Sequence, residues 1–372
     1  MMEKIEQISL SYFKRLSNLN TLPFYEKEIR SEIVKICKEN DLNFNLDEWG
    51  NLYVNPKINS NDPAIVFIAH MDHPGFEITE QNGKMVKLKI LGSHPNFVNN
   101  NDVVLRVLNS AEKNIFANIT PSRNKHLLNE SYNWIRSDYI YAELSEDIVL
   151  DLLPCPAILD LKKNDIHYSR RIIRSRAIDD LAGCAAILSA MKIASEIGFN
   201  RSVIGLFTRA EEVGLIGARL SAQSGKIDKN SLVFSIETSS EIPGIKIGQG
   251  PVIRTGDRIS TFDHIPETLL KKHADKLKET DNSFNFQRGL MDAGVCEGSA
   301  FKSFGYNVSG LAFPLGNWHN RGKNMLEEEY LSMDDYYWGI RLLLSLMSYD
   351  IHQKSSDLLP LVPKSIEERL TK

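Results

Sequence analysis

The sequence has little that marks a membrane protein, a secreted protein or a nucleic-acid binder. Its longest apolar run is AIVFIA at 64–69, far short of the roughly 18 residues that a membrane span needs. Lysine and arginine number 44 against 48 acidic residues, a net charge of -4, and a strongly basic nucleic-acid surface does not fit that balance. The N-terminal segment lacks the continuous apolar stretch of a secretion signal. We therefore expect a cytoplasmic protein that binds neither membranes nor nucleic acid.

Cysteine is also scarce, and repeats are absent. The four cysteines lie far apart with no Cys-x-x-Cys pair, which argues against a disulfide framework and against a thiolate zinc finger. No period of about 20 to 50 residues recurs and no low-complexity stretch is present, so a solenoid is excluded. The 372 residues are 42% hydrophobic and 25% charged, which is typical of a globular protein with two or three structural units.

Short apolar runs alternate with amphipathic helical patterns along most of the chain. The runs AIVFIA, RSVIGLFT and SLVFSI predict buried strands, while FYEKEIRSEIVKICKEN and LAGCAAILSAMKIA predict helices. Continuous apolar strands between such helices indicate an α/β fold with a mixed sheet that helices cover on both faces.

The pattern changes between the strand predicted from AIVFIA and the helix predicted from LAGCAAILSAMKIA. KMVKLKILG follows a QNG turn signal and alternates apolar with basic residues, DVVLRVLNS repeats the alternation, and Asn, Ser and Pro punctuate residues 92–139. We predict that residues 1–76 and 169–372 form one discontinuous catalytic domain. Residues 77–168 would form an inserted β-rich domain.

Acidic residues and a histidine recur at the predicted ends of buried strands, where open α/β sheets bind their ligands. They are His70 and Asp72 after AIVFIA, Glu211 and Glu212 after RSVIGLFT, and Glu237 after SLVFSI. Glycines follow Glu212 and allow close approach of the backbone. Adjacent glutamates also occur at 327–329 and 367–368, but in polar surroundings that predict helices, and they serve here as internal controls.

Two further segments carry the same kinds of side chain. Asp179 and Asp180 stand at the entry to an apolar helix, where they equally fit a helix N-cap, and His319 follows the apolar run in PLGNWHN. Imidazole nitrogens and carboxylate oxygens without thiolates suit Zn²⁺, Co²⁺ or Mn²⁺. Because a carboxylate can bridge two ions, a two-metal site is natural, and a carboxylate not needed as a ligand can act as a general base.

Four segments of the sequence carry a family resemblance. AHMDHPGF, RAIDDLAG, TRAEEVGLIGA and GLMDAGV, in this order, resemble the M42 dinuclear metallo-aminopeptidases, which include glutamyl aminopeptidases and the tetrahedral TET peptidases. DEWGNLYV at 47–54 is similar to the early strand pair of that family, so the resemblance covers nearly the full chain. The M20 and M28 peptidases share the ligand order, but the long interval from His70 to Asp179 has room for an early inserted domain and favours M42.

The resemblance implies a ligand set for two divalent metal ions per chain, with zinc, cobalt and manganese as candidates. Asp179 would bridge the two ions. One ion would be completed by His70 and Glu237, and the other by Glu212 and His319.

The resemblance also implies the catalytic roles. Glu211 would be the base that activates a metal-bridging water, and Asp72 would hydrogen-bond His70 and fix its tautomer. The peptide bond between Asp179 and Asp180 would be cis. The implied activity is that of an aminopeptidase that removes N-terminal residues from peptides. The implied assembly is a homo-oligomer, a dodecamer as in TET peptidases, formed through the inserted domain.

Three positions depart from the family pattern. His73 stands where a glutamate is usual, Leu181 replaces an arginine, and Glu237 replaces an aspartate. His73 and Arg321 could shape a pocket, although lone loop residues of these types are more often solvated. Because glutamate at the position of Glu237 accompanies other activities among M20 enzymes, two alternatives stay open. They are an M20-like dinuclear amidohydrolase, either a deacylase or a carboxypeptidase, and a metal-binding protein without peptidase activity.

Overall fold

The computed structural model describes residues 2–55, 63–100, 102–109, 115–124, 134–162, 164–198, 202–349 and 362–370. Their helices are α1 (Met2–Ser17), α2 (Lys27–Glu39), α3 (Leu181–Ile197), α4 (Ile216–Ser224), α5 (His264–Thr280), α6 (Glu297–Ser303), α7 (Met333–Met347) and α8 (Lys364–Leu370). Helices α2 and α3 confirm the two predicted from apolar periodicity. Within these ranges, no helix combines the length and the hydropathy needed to cross a bilayer.

The strands of the same ranges include those predicted from the three apolar runs. They are β1 (Phe44–Leu46), β2 (Leu52–Val54), β3 (Ile65–His70), β4 (Gly75–Asn82), β5 (Met85–Leu91), β6 (Val104–Val107), β7 (Ile115–Ile119), β8 (Tyr139–Leu144), β9 (Cys155–Leu159), β10 (Asp165–His167), β11 (Ile172–Ser175), β12 (Val203–Thr208), β13 (Leu232–Ser240), β14 (Val252–Asp257), β15 (Gln287–Met291), β16 (Asn307–Gly316) and β17 (Glu329–Ser332). Strands β3, β12 and β13 confirm the buried strands predicted from the sequence.

Eleven of the described strands form one mixed sheet. The order is β1-β2-β12-β3-β13-β16-β17-β11-β10, with β14 beside β16 and β15 beside β14. The central run β12-β3-β13-β16 is parallel, and the strands on either side of it along this path pair antiparallel. The carboxyl ends of four neighbouring strands therefore meet at one edge, which is where ligands bind in sheets of this kind.

Alternate side chains of the central strands pack on opposite faces of the sheet. Phe67 of β3 lies in a core shared with α1, α3, α5 and α7, whereas Val66 and Ile68 lie in a second core shared with α4 and α6. Both faces of the sheet are therefore covered by helices. This arrangement confirms the predicted fold class.

After β3 the chain leaves the sheet and forms a barrel. Among the described residues, β4-β5-β8-β7-β6-β9 close into six strands around a core of their own. The predicted QNG turn joins β4 to β5, where Gly83 has a φ of +58°. The inserted β-rich domain is thus confirmed, while its boundaries at 77 and 168 stay a prediction. Residues 101, 110–114, 125–133 and 163 of that interval lie outside the described residues.

Candidate metal centre

The parallel strands bring three of the predicted segments to the same edge. His70 is the last residue of β3 and is paired in register with Thr208, the last residue of β12, so Glu211 and Glu212 follow immediately beside it. Glu237 does not end its strand as predicted, because β13 continues to Ser240. Ser235 is paired in register with Ile68 of β3, so Glu237 lies level with His70.

The sequence left open whether Asp179 and Asp180 cap a helix or bind metal, and the structure gives the two residues different roles. Asp180 is the N-cap of α3, and its carboxylate accepts the backbone N–H of Gly183 at 3.1 Å. Asp179 instead faces the histidines of the site. The peptide bond between the two aspartates is cis, as predicted.

The five proposed ligands converge in two groups that share Asp179. One group is His70, Asp179 and Glu237 and the other is Asp179, Glu212 and His319, with the ligand atoms of each group within 4.8 Å of one another. Nε2 of His70 lies 3.4 Å from Oδ1 of Asp179, and Nε2 of His319 lies 3.5 Å from Oδ2. Each oxygen of Asp179 thus faces one group, as a bridging carboxylate requires.

The donor atoms of these groups fit a metal ion. Nδ1 of His70 faces the carbonyl oxygen of Asp72 at 3.0 Å, and Nδ1 of His319 faces that of Ser93 at 3.0 Å. Because a carbonyl only accepts, Nδ1 carries a hydrogen in both rings, which leaves Nε2 as the nitrogen that can bind a metal ion. Oδ1 of Asp179 and Oε1 of Glu237 are buried, with no hydrogen-bond donor in the part of the chain that the structure describes. This convergence of lone pairs, without thiolates, suits a divalent cation such as zinc.

The electrostatics of the site point the same way. Burial opposes a charge on His70, but the carboxylates of Glu211 and Asp179 outweigh it and raise the pKa of the ring well above its ordinary value. Glu212 and Asp179 have the same effect on the pKa of His319. Burial raises the pKa of Glu237 to about 8. The surroundings therefore favour added positive charge.

Glu211 forms a third group with His70 and Glu212, whose ligand atoms also lie within 4.8 Å of one another. Its Oε2 is 3.9 Å from Nε2 of His70, and its side chain is 11% exposed. Burial raises the pKa of Glu211 well above its ordinary value, and Glu212 and Glu237 raise it further while His70 opposes them. A carboxylate in such surroundings is a stronger proton acceptor than an exposed one.

The predicted hydrogen bond from the His70 ring to the Asp72 carboxylate is not formed. Oδ1 of Asp72 lies 3.8 Å from Nδ1 of His70, and that nitrogen bonds the Asp72 carbonyl instead. The carboxylate accepts the backbone N–H groups of Glu211 at 3.0 Å and Glu212 at 3.1 Å. Asp72 therefore orients the glutamate pair by its side chain and the histidine by its carbonyl.

Trp318 is a site residue that the sequence did not reveal. Its indole Nε1–H donates to Oδ2 of Asp179 at 2.8 Å, and its ring stacks on His319 with the centroids 3.8 Å apart. A tryptophan in PLGNWHN carries no local signal of this contact, since its partner lies far away in the sequence.

His73 is buried and is not solvated, contrary to the usual behaviour of loop histidines. Its Nδ1 donates to the carbonyl oxygen of Asp179 at 2.7 Å, and its Nε2 lies 3.2 Å from Oδ1 of Asn320. Burial lowers the pKa of His73 well below its ordinary value, and Arg176 lowers it further. Arg321 is half-buried, with its guanidinium 5.6 Å from the ring centre of Trp134. His73, which stands where the family resemblance implies a glutamate, thus supports the backbone of Asp179.

The glutamates at 327–329 do not form the predicted helix. Glu329 begins strand β17 and is fully buried. Its carboxylate accepts the backbone N–H groups of Ile178 at 2.7 Å, Asp179 at 3.0 Å and His319 at 2.8 Å. The helix prediction was wrong here because the strand is set by pairing with β11 and β16, which local polarity does not show. The pair at 367–368 does lie in an exposed helix, α8.

A cavity of about 500 Å³ opens beside the two ligand groups, and His70, Asp179 and Glu212 line part of its wall. The motif GLMDAGV, for which no ligand was predicted, contributes Met291, Ala293, Gly294 and Val295 to its wall. Three arginines also line it, namely Arg219, Arg254 and Arg258. A cavity of this size accommodates a small organic ligand or the end of a peptide.

Comparison with known families decides the class of the protein. Residues 50–327 match the family model described as M42 glutamyl aminopeptidase. The chain belongs to this family. It is therefore an aminopeptidase, a hydrolase acting on peptide bonds, and the resemblance drawn from the four motifs is confirmed.

Solved structures share the fold of this M42 peptidase over nearly its full length. The TET1 peptidase of Pyrococcus horikoshii, described as assembling into a tetrahedron or a large octahedral shell, is 24% identical with a TM-score of 0.72, covering 91% of this chain and 99% of that chain. PhTET1-12s, described as a dodecamer, is 24% identical with a TM-score of 0.71, covering 93% of this chain and 98% of that chain. An aminopeptidase of the archaeon Desulfurococcus kamchatkensis is 17% identical with a TM-score of 0.72, covering 95% of this chain and 99% of that chain.

Proposed function

We propose that this M42 peptidase is a dinuclear metallo-aminopeptidase that removes N-terminal residues from peptides. The observation that carries the proposal is the convergence of five ligand side chains into two groups sharing one carboxylate. Family membership supplies the class of reaction. The metal dependence, the pair of ions and the glutamate base are the parts proposed.

His70 and Glu237 would hold one ion, Glu212 and His319 the other, with Asp179 between them. Divalent ions bound there would polarise the scissile carbonyl and lower the pKa of water. Glutamate at 237 is one methylene longer than the aspartate usual in the family. Ser235 of β13 pairs with Ile68 of β3, so Glu237 lies level with His70, and its longer side chain would reach the ion beside His70.

Glu211 would act as the general base and then the general acid. It takes a proton from the attacking water and returns it to the amine that leaves when the peptide bond breaks. Its burial supports this role, because burial raises its pKa and the neighbouring Glu212 and Glu237 raise it further. Asp72 holds the backbone of the glutamate pair through two hydrogen bonds and so keeps the segment that carries the base in place.

The charges around the cavity support a preference for an acidic N-terminal residue. The free α-amine of a peptide would lie beside one of the two ions, while arginines line other parts of the wall. Arg254 is 2% exposed and donates from Nη1 to Oγ of Ser239 at 3.1 Å. Arg254 lines the cavity, and its guanidinium would bond the carboxylate of an N-terminal glutamate or aspartate there.

A substrate panel tests this function. Aminoacyl and N-acylated amino-acid substrates are assayed with added Zn²⁺, Co²⁺ or Mn²⁺. We expect cleavage of free N-termini, with the highest kcat/KM for glutamyl and aspartyl substrates. Arg254→Met should lower the ratio of glutamyl to leucyl kcat/KM by about 10- to 100-fold, since one charged hydrogen bond is lost.

The control for Arg254→Met is Arg288→Met, because Arg288 pairs with Glu267 on the surface. That variant should leave the substrate ratio unchanged. Cleavage of N-acylated amino acids alone would instead favour the M20-like amidohydrolase. An unchanged ratio in Arg254→Met would remove this arginine from substrate selection.

We also propose that the barrel mediates self-association into a dodecamer. PhTET1-12s is described as a dodecamer, and the TET1 peptidase as assembling into a tetrahedron or a large octahedral shell. The connection between β8 and β9 of the barrel exposes Val149 at 86% and Leu152 at 73%, and neighbouring exposed apolar side chains are typical of an interface.

Light scattering at micromolar concentration should therefore report a mass near that of twelve chains. Val149→Asp combined with Leu152→Asp should yield a smaller species, because burying two carboxylates in an apolar contact is unfavourable. Leu370→Asp, at an equally exposed leucine of α8, is the matched control and should not change the mass. A monomeric wild type would contradict the proposal.

A further inference from the structure

Glu329 joins two chain segments that lie far apart in the sequence and meet at the metal centre. Its Oε2 accepts the N–H of Ile178 at 2.7 Å and that of Asp179 at 3.0 Å, and its Oε1 accepts the N–H of His319 at 2.8 Å. The side chain is fully buried. It lies beyond residues 50–327, which match the family model. One carboxylate thus bonds the backbones of two proposed ligands.

The segments that Glu329 joins have no regular structure of their own at this point. Asp179 lies between β11 and α3, beside its cis peptide bond. His319 lies in a turn where Asn317, His319 and Asn320 have φ values of 56°, 53° and 62°. Backbone N–H groups in such segments have no sheet or helix acceptor, so a buried side chain has to supply one. Glu329 does this for both ligands at once.

We propose that Glu329 is a positioning residue that sets the spacing between Asp179 and His319, and with it the affinity for the metal ion these two ligands share. The two oxygens of a carboxylate are held rigidly in one plane, so hydrogen bonds to each of them fix the two backbones relative to one another. The inference rests on the proposed metal centre. Partners beyond the direct ligands commonly control metal affinity in this way.

Glu329→Gln separates positioning from a merely structural role. Glutamine keeps the size of the side chain but has one carbonyl oxygen, and its amide group faces an N–H, so one of the two segments loses its acceptor. Zn²⁺ is titrated calorimetrically into the metal-free full-length protein. We expect about 10- to 100-fold weaker binding of the ion held by Asp179 and His319, a smaller change at the other ion, and a fall in kcat that exceeds the change in KM.

Glu328→Gln is the matched control. The Glu328 carboxylate accepts the N–H of Lys162 at 3.3 Å, away from the metal groups, and its variant should bind both ions as the wild type does. If Glu329→Gln does not fold, as judged by its circular dichroism, Glu329→Asp replaces it. That variant keeps both acceptor oxygens at shorter reach and should weaken the same ion.

The outcomes separate this inference from the function on which it rests. A wild type that binds no metal would overturn the metal centre, and the role of Glu329 with it. A wild type that binds two ions, beside a folded Glu329 variant with both affinities unchanged, would overturn the role of Glu329 alone. A proportional loss at both ions, with kcat and KM changed together, would make Glu329 structural and would also overturn the assignment.

Discussion

Asp179→Ala is expected to abolish the binding of both metal ions, and with it nearly all peptidase activity. Each oxygen of Asp179 faces a different ligand group. Its removal leaves His70 with Glu237 on one side and Glu212 with His319 on the other. Two protein ligands are fewer than the three or four that hold zinc in most protein sites. Elemental analysis of protein reconstituted with metal and then desalted should give close to two ions per chain for the wild type and close to none for the variant.

Two further variants calibrate this result. Glu237→Ala removes a ligand from one group only, so it should release one ion and leave the other. Asp275→Ala removes an exposed aspartate that pairs with Lys271 and should leave the metal content unchanged. Undiminished metal in Asp179→Ala would show that this carboxylate does not bridge. Unchanged affinity at both sites in Glu237→Ala would exclude Glu237 as a ligand.

Glu211→Gln is expected to lower kcat by about 10²- to 10⁴-fold, which is the typical contribution of a general base and corresponds to about 3 to 5 kcal/mol of activation free energy. Glutamine has nearly the size of glutamate but cannot take the proton of the water. The backbone N–H of residue 211 still bonds the Asp72 carboxylate, so the loop should keep its place. The metal content should equal that of the wild type.

The control for Glu211→Gln is the same change at an exposed glutamate, Glu80→Gln, whose side chain pairs with Lys87 in the barrel. It should leave both turnover and metal content as they are. Near wild-type turnover of Glu211→Gln with its metals bound would show that another group is the base. Loss of metal in this variant would place Glu211 among the ligands.

The sequence predicted those parts of the site that depend on local pattern. His70, Glu211 and Glu237 each follow or lie in a continuous apolar run, and parallel neighbouring strands bring their ends to one edge. The start of α3 could be predicted from Asp179 and Asp180, which precede an apolar helical pattern. What the local pattern left open, namely which aspartate caps the helix, is resolved by the N–H of Gly183 on Asp180.

The parts that the sequence did not predict depend on contacts between distant segments. The burial of Glu329 follows from the pairing of β17 with β11 and β16, and a run of glutamates reads locally as a solvated helix. Likewise, His73 is buried because its ring meets the carbonyl of Asp179. The carboxylate of Asp72 had a plausible partner two residues away, but the N–H groups of the glutamate pair lie closer to it.

The most direct test of the account is metal content and turnover measured on the same preparations. The wild type, before and after treatment with a chelator, is compared with Asp179→Ala and Glu211→Gln on a peptide with a free N-terminus. The account predicts two ions with activity for the untreated wild type, and neither metal nor activity for the chelated protein and for Asp179→Ala. Glu211→Gln should hold two ions with kcat lowered by about 10²- to 10⁴-fold. Full turnover by chelated wild type that holds no ion would contradict it.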